Sequence, residues 1–219
     1  MKIGNNTESA YGAALLGFEV GACGITDNYV VPPHSMRPVP LKGRYSTRKI
    51  QLSFEFNGAS ENTVVQNISA LTAVFLAGTE MSLADGFMYY CVLDAQGTPK
   101  RVTEAIYTVM YDLVGVRHGS NTTHTLTQSG TVNIKGNCEA PAVFTVSGAS
   151  GSYRVNGITL SGVSGTVVID GINKTVKQNG ANFFTNCALT KFPFVTPGEM
   201  AITISGTGTL KIEYQPIYL

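Results

Sequence analysis

The sequence predicts a mainly β protein of two domains, and three observations support this prediction. Glycine accounts for 24 of the 219 residues and charged residues for only 13%, about half the charged share of typical soluble domains. Apolar residues make up 43% of the chain, which is enough for a sizeable core. Hydrophobic residues alternate with a period of two along most of the chain and adopt a helical spacing only once. This combination is typical of turn-rich β structure and excludes a helical bundle or a disordered tail.

The N-terminal half contains several strands and the single predicted helix. Over residues 48–56, large apolar residues alternate with polar ones, which places four of them on one face of a strand. Apolar residues then recur at three- and four-residue spacing over residues 64–76, and a glycine follows. A helix is therefore expected at about residues 61–77. Residues 87–93 and 101–116 are expected to form two further strands joined by a turn.

A polar stretch, residues 117–125, contains no large apolar side chain and is interpreted as a linker. It divides the chain into an N-terminal domain, residues 1–125, and a C-terminal domain, residues 126–219. Glycine-rich turn signals, including one at residues 148–151, separate short apolar runs in the C-terminal part, a pattern typical of a β-sandwich. The strands predicted there are residues 142–146, 165–169, 201–205 and 209–214.

No catalytic, cofactor or metal site is predicted. The four cysteines form no C-x-x-C pair and have no histidine nearby at zinc-ligand spacing, so they are expected to be reduced and structural. Ser46 and Lys49 match the S-x-x-K pattern of penicillin-recognising enzymes, but the accompanying sequence elements are absent. The three histidines stand in polar or proline-rich stretches without a fixed acid partner. An enzyme is therefore the third of the functional classes considered.

Charge and hydropathy restrict the partners of the protein. The formal net charge of +1 creates no global field towards nucleic acid or an anionic membrane, so no specific nucleic-acid binding and no membrane binding is expected. No window approaches the ~18 consecutive apolar residues of a membrane span. The first residues lack the unbroken apolar run of a signal peptide. The protein is expected to be synthesised in a cytoplasm and to remain soluble.

One basic cluster exceeds the background. Residues 37–49 contain five of the fifteen basic groups and no Asp or Glu, and they follow a proline-rich segment that favours an extended arm. One interpretation is an arm kept soluble by its charge. A more specific interpretation is that the arm docks on an acidic surface of a neighbouring protein. Phosphate binding is the third interpretation, because no base-stacking set of aromatic residues lies nearby. The candidate docking arm comprises Arg37, Lys42, Arg44, Arg48 and Lys49.

Short motifs recur in a specific order in the last third of the chain: Gly165–Gly171, Asn179–Asn182, Phe192–Gly198 and Gly206–Tyr218. In this order and spacing they resemble the end of the distal tail proteins of long-tailed, siphovirus-type bacteriophages, within the phage tail component family. The N-terminal part is similar to that family in outline, with a Tyr-Gly opening, a proline-rich loop, a strand and then one helix. One departure is Asp112, because relatives often carry Asp-Pro where this chain has Asp-Leu.

The resemblance implies a more specific architecture and role. It implies an N-terminal β-sandwich-like domain with one helix that assembles into a homo-hexameric ring, and a C-terminal galectin-like β-sandwich at the periphery. Such a ring at the distal end of a phage tail would join the tail tube to the host-adhesion apparatus and leave a channel for DNA. The implied partners are further copies of the chain, the tail tube protein, the tail-associated tip protein and receptor-binding or adhesion proteins. The implied location is the virion, after synthesis in the cytoplasm of the host bacterium.

A lectin-like adhesin that binds host saccharides is the alternative from a different class. Galectin-like sugar sites typically stack the sugar on Trp and surround it with His, Asn and Arg. This chain has no Trp, and beyond residue 125 its one arginine is Arg154. Tyr153 and Arg154 are therefore the weak candidate sugar contacts.

Overall fold

The computed structural model describes residues 1–26, 29–31, 33, 37, 39–40 and 44–219. The chain divides into two compact units, residues 1–117 together with Leu219 and residues 118–218. Strands dominate both units, and the described residues contain one α-helix. The predicted mainly β class is confirmed.

The first unit is built from a sheet of antiparallel pairs and the α-helix. A short 3-10 helix, Glu8–Tyr11, precedes its first long strand. The α-helix, α1, is Glu61–Ala77 and lies where the helical spacing predicted it. The strands are β1 (Lys2–Ile3), β2 (Asn6–Thr7), β3 (Ala13–Val20), β4 (Ile25–Thr26), β5 (Tyr29–Val30), β6 (Val39–Pro40), β7 (Arg44–Tyr45), β8 (Arg48–Asn57), β9 (Thr79–Ser82), β10 (Met88–Gln96), β11 (Lys100–Thr103) and β12 (Ile106–His118).

The helix covers one face of the main sheet, whose strands follow the order β2-β1-β9-β10-β12-β8-β3. The two-residue period of β8 is realised, because its apolar residues are buried and the residues between them are exposed or half-buried. The buried face of β8 and the buried stripe of α1 belong to one hydrophobic cluster. The members from β8 and α1 are Ile50, Leu52, Phe54, Phe56, Val64, Ile68, Leu71 and Phe75. The opposite face of the sheet is called the open face below.

Local contacts fix where the helix begins and ends. The Ser60 hydroxyl accepts a hydrogen bond from the Thr63 backbone N–H at 3.3 Å, which caps the N-terminus. The Tyr107 hydroxyl on the sheet donates to Glu61 Oε1 at 2.5 Å and joins the first turn of α1 to β12. Gly78 follows the last turn with φ +79°, a backbone conformation that favours glycine.

One predicted strand of the first unit is two strands. Residues 101–116 were expected to run without interruption, but a turn at residues 104–105 separates β11 from β12. The two strands fold back on each other, with Lys100 opposite Thr108 and Thr103 opposite Ile106. Neither Glu104 nor Ala105 is a strong turn former, so residue types alone did not indicate this hairpin.

The second unit consists of antiparallel strands around its own core. Strands β14 and β21 form a separate pair, and their Val132, Ile134 and Ile202 belong to the same hydrophobic cluster as the larger sheet. This arrangement is the predicted sandwich. The strands are β13 (Thr122–Leu126), β14 (Gly130–Ile134), β15 (Ala140–Val155), β16 (Ile158–Asp170), β17 (Thr175–Gln178), β18 (Ala181–Asn182), β19 (Cys187–Ala188), β20 (Phe194–Val195), β21 (Gly198–Ile202), β22 (Ile204–Ser205), β23 (Thr209–Tyr214) and β24 (Ile217–Tyr218).

Two long strands, β15 and β16, form the central hairpin of this unit, and its real turn is at Asn156-Gly157. The glycine-rich stretch 148–151 was predicted to be a turn, and this prediction is wrong. The stretch lies inside β15, where the register shifts twice. Gly148 and Gly151 have φ of +68° and +79°, so they supply the backbone freedom that an irregular pairing needs.

The stretch 117–125 is not a linker. Strand β12 continues to His118, which is buried, and Thr122–Leu126 pairs with β23 from Thr122 opposite Tyr214 to Leu126 opposite Leu210. The compact units therefore divide between residues 117 and 118, and residues 118–125, expected in the first domain, lie in the second unit. The polar composition of this stretch does not indicate a linker, because β13 lies at the edge of its sheet and an edge strand can be largely polar.

Candidate protein-docking surfaces

A two-stage hairpin leaves the main sheet of the first unit between β3 and β8. Strand β4 pairs with β7, placing Ile25 opposite Tyr45, and β5 pairs with β6, placing Val30 opposite Val39. We call the described residues between Ile25 and Tyr45 the hairpin. In the sequence, the proline-rich segment and the first three residues of the predicted basic arm fall within the same stretch.

The hairpin exposes large apolar side chains that were not among the predicted site residues. Tyr29 is 60% exposed, and the other members of the group are exposed to a similar degree. Several large apolar side chains exposed within one short segment are typical of a surface that is covered by a partner. The signal in the sequence is the run Tyr29-Val30-Val31, which follows the polar residues Asp27 and Asn28. The group comprises Tyr29, Val30, Val31, Val39 and Tyr45.

The described residues of the predicted basic arm differ in exposure. Arg37 is exposed, Arg44 lies in β7, and Lys42 lies outside the described residues. Lys49 is exposed on β8, whereas Arg48 is only 7% exposed. Arg48 is therefore a structural residue of the sheet and is removed from the docking surface.

Arg48 is buried because it holds the base of the hairpin. Its Nη1 donates a hydrogen bond to the Gly21 carbonyl oxygen at 2.9 Å. The Gly21 backbone N–H donates to the Lys49 carbonyl oxygen at 2.8 Å, so the two ends of the hairpin are joined where they leave the sheet. The alternation of β8 turns Arg48 inward and Lys49 outward.

A cleft of about 330 Å³ opens on the first unit next to the base of the hairpin. Three carboxylates line it, together with one ammonium group, that of Lys49. Gln51 Nε2 donates to Asp112 Oδ1 at 2.9 Å across the floor. The charges of the lining therefore favour a basic occupant. The polar side chains that line this acidic cleft are Glu19, Lys49, Gln51, Asp94 and Asp112.

An apolar groove lies on the open face, further along the same two strands. Ser53 follows Gln51 on β8 and Met110 precedes Asp112 on β12, each two residues away and so on the same face of the sheet. Leu16 is 57% and Met110 44% exposed, and both line this groove of about 480 Å³. Polar side chains also line it: Ser53, Thr98, Lys100 and Thr108. We call it the apolar groove.

The second unit separates the two candidate sugar contacts. Tyr153 is 0% exposed, so it cannot stack on a sugar, whereas Arg154 is exposed. The reason is that consecutive residues of a strand point to opposite faces of the sheet. Burial raises the pKa of Tyr153, and its hydroxyl has no hydrogen-bond partner within the described residues. Arg154 lines a shallow polar cleft with Asn156, Thr159 and Ser205.

In the part of the chain that the structure describes, no group of three or more His, Cys, Asp or Glu side chains is placed to hold a metal ion. Of the predicted loop histidines, His118 is buried and His124 stacks on Tyr214, with ring centroids 6.0 Å apart. Over the same described residues, no helix has the length and hydropathy needed to cross a membrane.

Solved structures of phage tail components share this fold. The Dit protein of phage SPP1, described as a paradigm of the hub adsorption apparatus in phages that infect Gram-positive bacteria, aligns with a TM-score of 0.73 at 12% identity, over 99% of this chain and 98% of that chain. A chain of the phage P2 baseplate in its activated conformation with calcium gives 0.57 at 11% identity, over 94% and 90%. The corresponding strontium structure gives 0.54 at 11%, over 93% and 90%. No protein-family model and no curated protein matches the sequence.

These comparisons define the fold. The SPP1 alignment runs through nearly the whole of both chains, so it includes both compact units and their order. The resemblance to distal tail proteins that the sequence motifs indicated is confirmed at the level of the fold.

Proposed function

We propose that the protein is a structural component of a bacteriophage tail tip or baseplate and has no enzymatic role. The observation that carries the proposal is the alignment with SPP1 Dit over 99% of this chain. Both neighbouring folds come from phage assemblies, a hub and a baseplate. An exposed apolar hairpin on the first unit supports a role in assembly, because such a surface needs a covering partner.

The finer proposal is a homo-hexameric ring at the distal end of the tail. The ring joins the tail tube protein to the tail-associated tip protein and to the receptor-binding or adhesion proteins, and DNA passes through its centre. The number six and these partners come from the family resemblance. The net charge of +1 suits a DNA channel, because a strongly basic lining would retain DNA through salt-dependent phosphate contacts. The protein is synthesised in the host cytoplasm and resides in the virion.

Negative-stain microscopy of the purified full chain tests this proposal. Rings with a central hole are expected, and light scattering should give the mass of a closed oligomer. A permanent interface of this type buries roughly 2,000 Å² or more, so rings should persist at tens of micromolar protein. A monomer at these concentrations, unchanged when tail tube protein is added, would overturn the ring and the channel together.

A further inference from the structure

We propose that two adjoining cavities at the turn of the β15–β16 hairpin bind a saccharide that carries a carboxylate or phosphate group. Such binding goes beyond the structural role proposed above and does not require ring formation. Three features of the second unit support it: the side chains that line the cavities, the charge of this lining and the hydrogen-bonding groups of Asn156.

The two cavities share one turn. Asn156 and Gly157, which connect β15 to β16, line both of them. One cavity, of about 320 Å³, is called the aromatic pocket here because three phenylalanines line it. The other, of about 430 Å³, is the polar cleft that contains Arg154. A ligand that spans the turn therefore contacts apolar and polar side chains together.

Apolar and hydroxyl-bearing side chains are divided between the two cavities. Phe192 and Phe194, both half-buried, line the aromatic pocket and give it an apolar surface. The polar cleft is lined by the hydroxyl groups of Thr159, Thr203 and Ser205. A sugar ring has the same two properties, since its C–H groups form an apolar face and its hydroxyls project from the edge. Ligand sites typically combine apolar walls with a few convergent polar groups in this way.

The lining carries positive charge and no carboxylate. Its charged residues are Arg154 in the polar cleft and Lys191 in the aromatic pocket, and within the described chain neither forms an ion pair. Lys191 Nζ lies 3.4 Å from the centroid of the Phe194 ring. Met200 lines the pocket, whereas the preceding Glu199 does not, because consecutive residues of a strand point to opposite faces. Two cations without a nearby acid favour an anionic ligand, and a guanidinium matches a carboxylate or phosphate with two parallel hydrogen bonds.

Asn156 lies where the two cavities meet, and Thr203 holds it in place. Asn156 Oδ1 accepts hydrogen bonds from the Thr203 backbone N–H at 2.8 Å and from the Thr203 hydroxyl at 3.2 Å. The Asn156 backbone N–H donates to the Thr203 carbonyl oxygen at 3.1 Å. These contacts fix which end of the amide faces Thr203. The two N–H donors of Nδ2 have no partner among the described residues, so they are available to a ligand oxygen.

The pairing of the backbone favours a saccharide over a peptide. A peptide that binds along a strand is recognised largely through free backbone groups at a sheet edge. Here the backbone N–H and carbonyl of Thr203 both bond to Asn156. Arg154 lies between two paired strands, opposite Thr159 on one side and Ser205 on the other. The lining therefore presents mainly side-chain hydroxyls, an amide and two cations, which match the hydroxyls and the acidic group of a sugar.

Saturation-transfer NMR on the full chain tests the proposal with glucuronate, glucose 6-phosphate and glucose as probes. At low salt, at least one acidic sugar should bind with a Kd on the order of 1 mM and about 10-fold more tightly than glucose, because charge-assisted hydrogen bonds are the stronger ones. Binding of glucuronate or of glucose 6-phosphate supports the proposal and identifies the acidic group. Failure of both to saturate the protein, or equal binding of glucose, would overturn it.

Two substitutions locate the binding. Arg154→Gln removes the cation of the polar cleft and should weaken binding of the acidic sugar by roughly 10-fold. Asn156→Asp keeps an acceptor for the Thr203 N–H but replaces the free amide donors with a carboxylate oxygen, so repulsion should weaken binding by at least about 10-fold. The matched control is Lys177→Gln on β17, an exposed lysine outside both cavities, and it should leave binding unchanged. Equal losses in Lys177→Gln and Arg154→Gln would show attraction by overall charge and contradict the assigned site.

Two competitors complete the test. Inorganic phosphate alone should bind about 10-fold more weakly than the acidic sugar, and equal binding would show an ion site that does not recognise a sugar. A hexaglutamate peptide that displaces the sugar at lower concentration than the sugar itself would assign the site to an acidic protein and overturn the proposal. Circular dichroism should show that each variant is folded, and where Asn156→Asp is not, Arg154→Gln decides. Absence of rings would leave these results unaffected, whereas absence of sugar binding would leave the proposed ring standing.

Discussion

Arg48 donates a hydrogen bond from Nη1 to the carbonyl oxygen of Gly21 at 2.9 Å, and this contact closes the base of the hairpin. Arg48 is nearly buried, so the guanidinium cannot exchange this bond for water without disturbing the sheet. The contact links the strand that enters the hairpin to the strand that leaves it. It is the structural reason why Arg48 is buried, whereas Arg37 is exposed.

Arg48→Ala should destabilise the protein by about 1.5–3 kcal/mol, since a hydrogen bond from a charged donor is lost and the Gly21 carbonyl is left without its partner. Urea unfolding measures the change. The matched control is Lys49→Ala, which removes the adjacent but exposed cation and should change stability by less than about 0.5 kcal/mol. Equal effects of the two substitutions would contradict the assigned role of Arg48.

Tyr153→Phe should leave stability unchanged or raise it by up to about 1 kcal/mol, because it removes a buried hydroxyl that lacks a partner. Tyr214→Phe is the control in the same unit. The Tyr214 hydroxyl accepts a hydrogen bond from the Lys135 backbone N–H at 2.8 Å, so its removal should cost about 1 kcal/mol. Urea midpoints compare the two variants. Destabilisation by Tyr153→Phe as large as that of Tyr214→Phe would show that the hydroxyl has an important partner.

Trypsin should cleave the native chain after Lys100 or Arg101 before it cleaves after Arg117. The first two lie in β11, all of whose residues are exposed, whereas Arg117 packs over the Phe87 ring at 4.5 Å and donates to the Leu219 carbonyl oxygen at 2.9 Å. Exposed segments are the preferred sites of nicking. Timed digestion with mass spectrometry identifies the first cut. An early fragment that starts at His118 would restore the linker interpretation.

Cys91 should resist alkylation by iodoacetamide at pH 8 in the native protein, and Cys23 should react faster than Cys91. Burial raises the pKa of the Cys91 thiol to about 12, so the reactive thiolate is scarce, and the side chain is fully buried. Cys23 is half-buried. Peptide mass mapping follows both sites with time, and unfolding in urea should abolish the difference. Native labelling of Cys91 at the rate of Cys23 would mean that this part of the core opens readily.

Asp170 should make stability depend on pH in the acid range. Partial burial alone raises the pKa of its carboxyl, but hydrogen bonds from the backbone and side chain of Asn173 and the backbone of Ile172 outweigh this, and the net pKa is lowered. A lowered folded pKa gives stability that is present above the unfolded pKa and is lost as pH falls through the folded pKa, from about pH 4 downward. Asp170→Asn should flatten this loss in urea midpoints measured from pH 7 to pH 3. An unchanged pH profile would exclude the contribution.

The sequence predicted those parts of the fold in which a period is regular. The alternation over β8 and the helical spacing of α1 are local properties, and both elements lie where the pattern indicated. The β15–β16 hairpin was harder to predict from the sequence. Gly148 and Gly151 are typical turn residues, but here they permit an irregular pairing inside a long strand. Only the partner strand decides between these outcomes.

The candidate site was predictable in part. The basic residues of the hairpin were visible as a run, but the cleft was not, because Glu19, Asp94 and Asp112 are far apart in the sequence. Strand register brings two of them together, since Gln51 lies opposite both Glu19 on β3 and Asp112 on β12. Tyr153 and Arg154 show the converse: they are adjacent in sequence, yet one is buried and the other exposed. Strand register decides the first case and the alternation of side chains along one strand decides the second, and composition encodes neither.

The alternation of β8 also means that one short strand supplies two separate sets of residues, one to the core and one to the surface. Ile50, Leu52 and Phe54 face the helix, and changing them would disturb the core. Gln51 and Ser53 line the cleft and the groove, and they can change with little effect on the core. Every second residue of β8 can therefore be substituted to fit a new neighbouring protein, while the residues between them maintain the core. Such division of labour within a strand allows chains with the same fold to diverge to the 12% identity seen with the SPP1 protein.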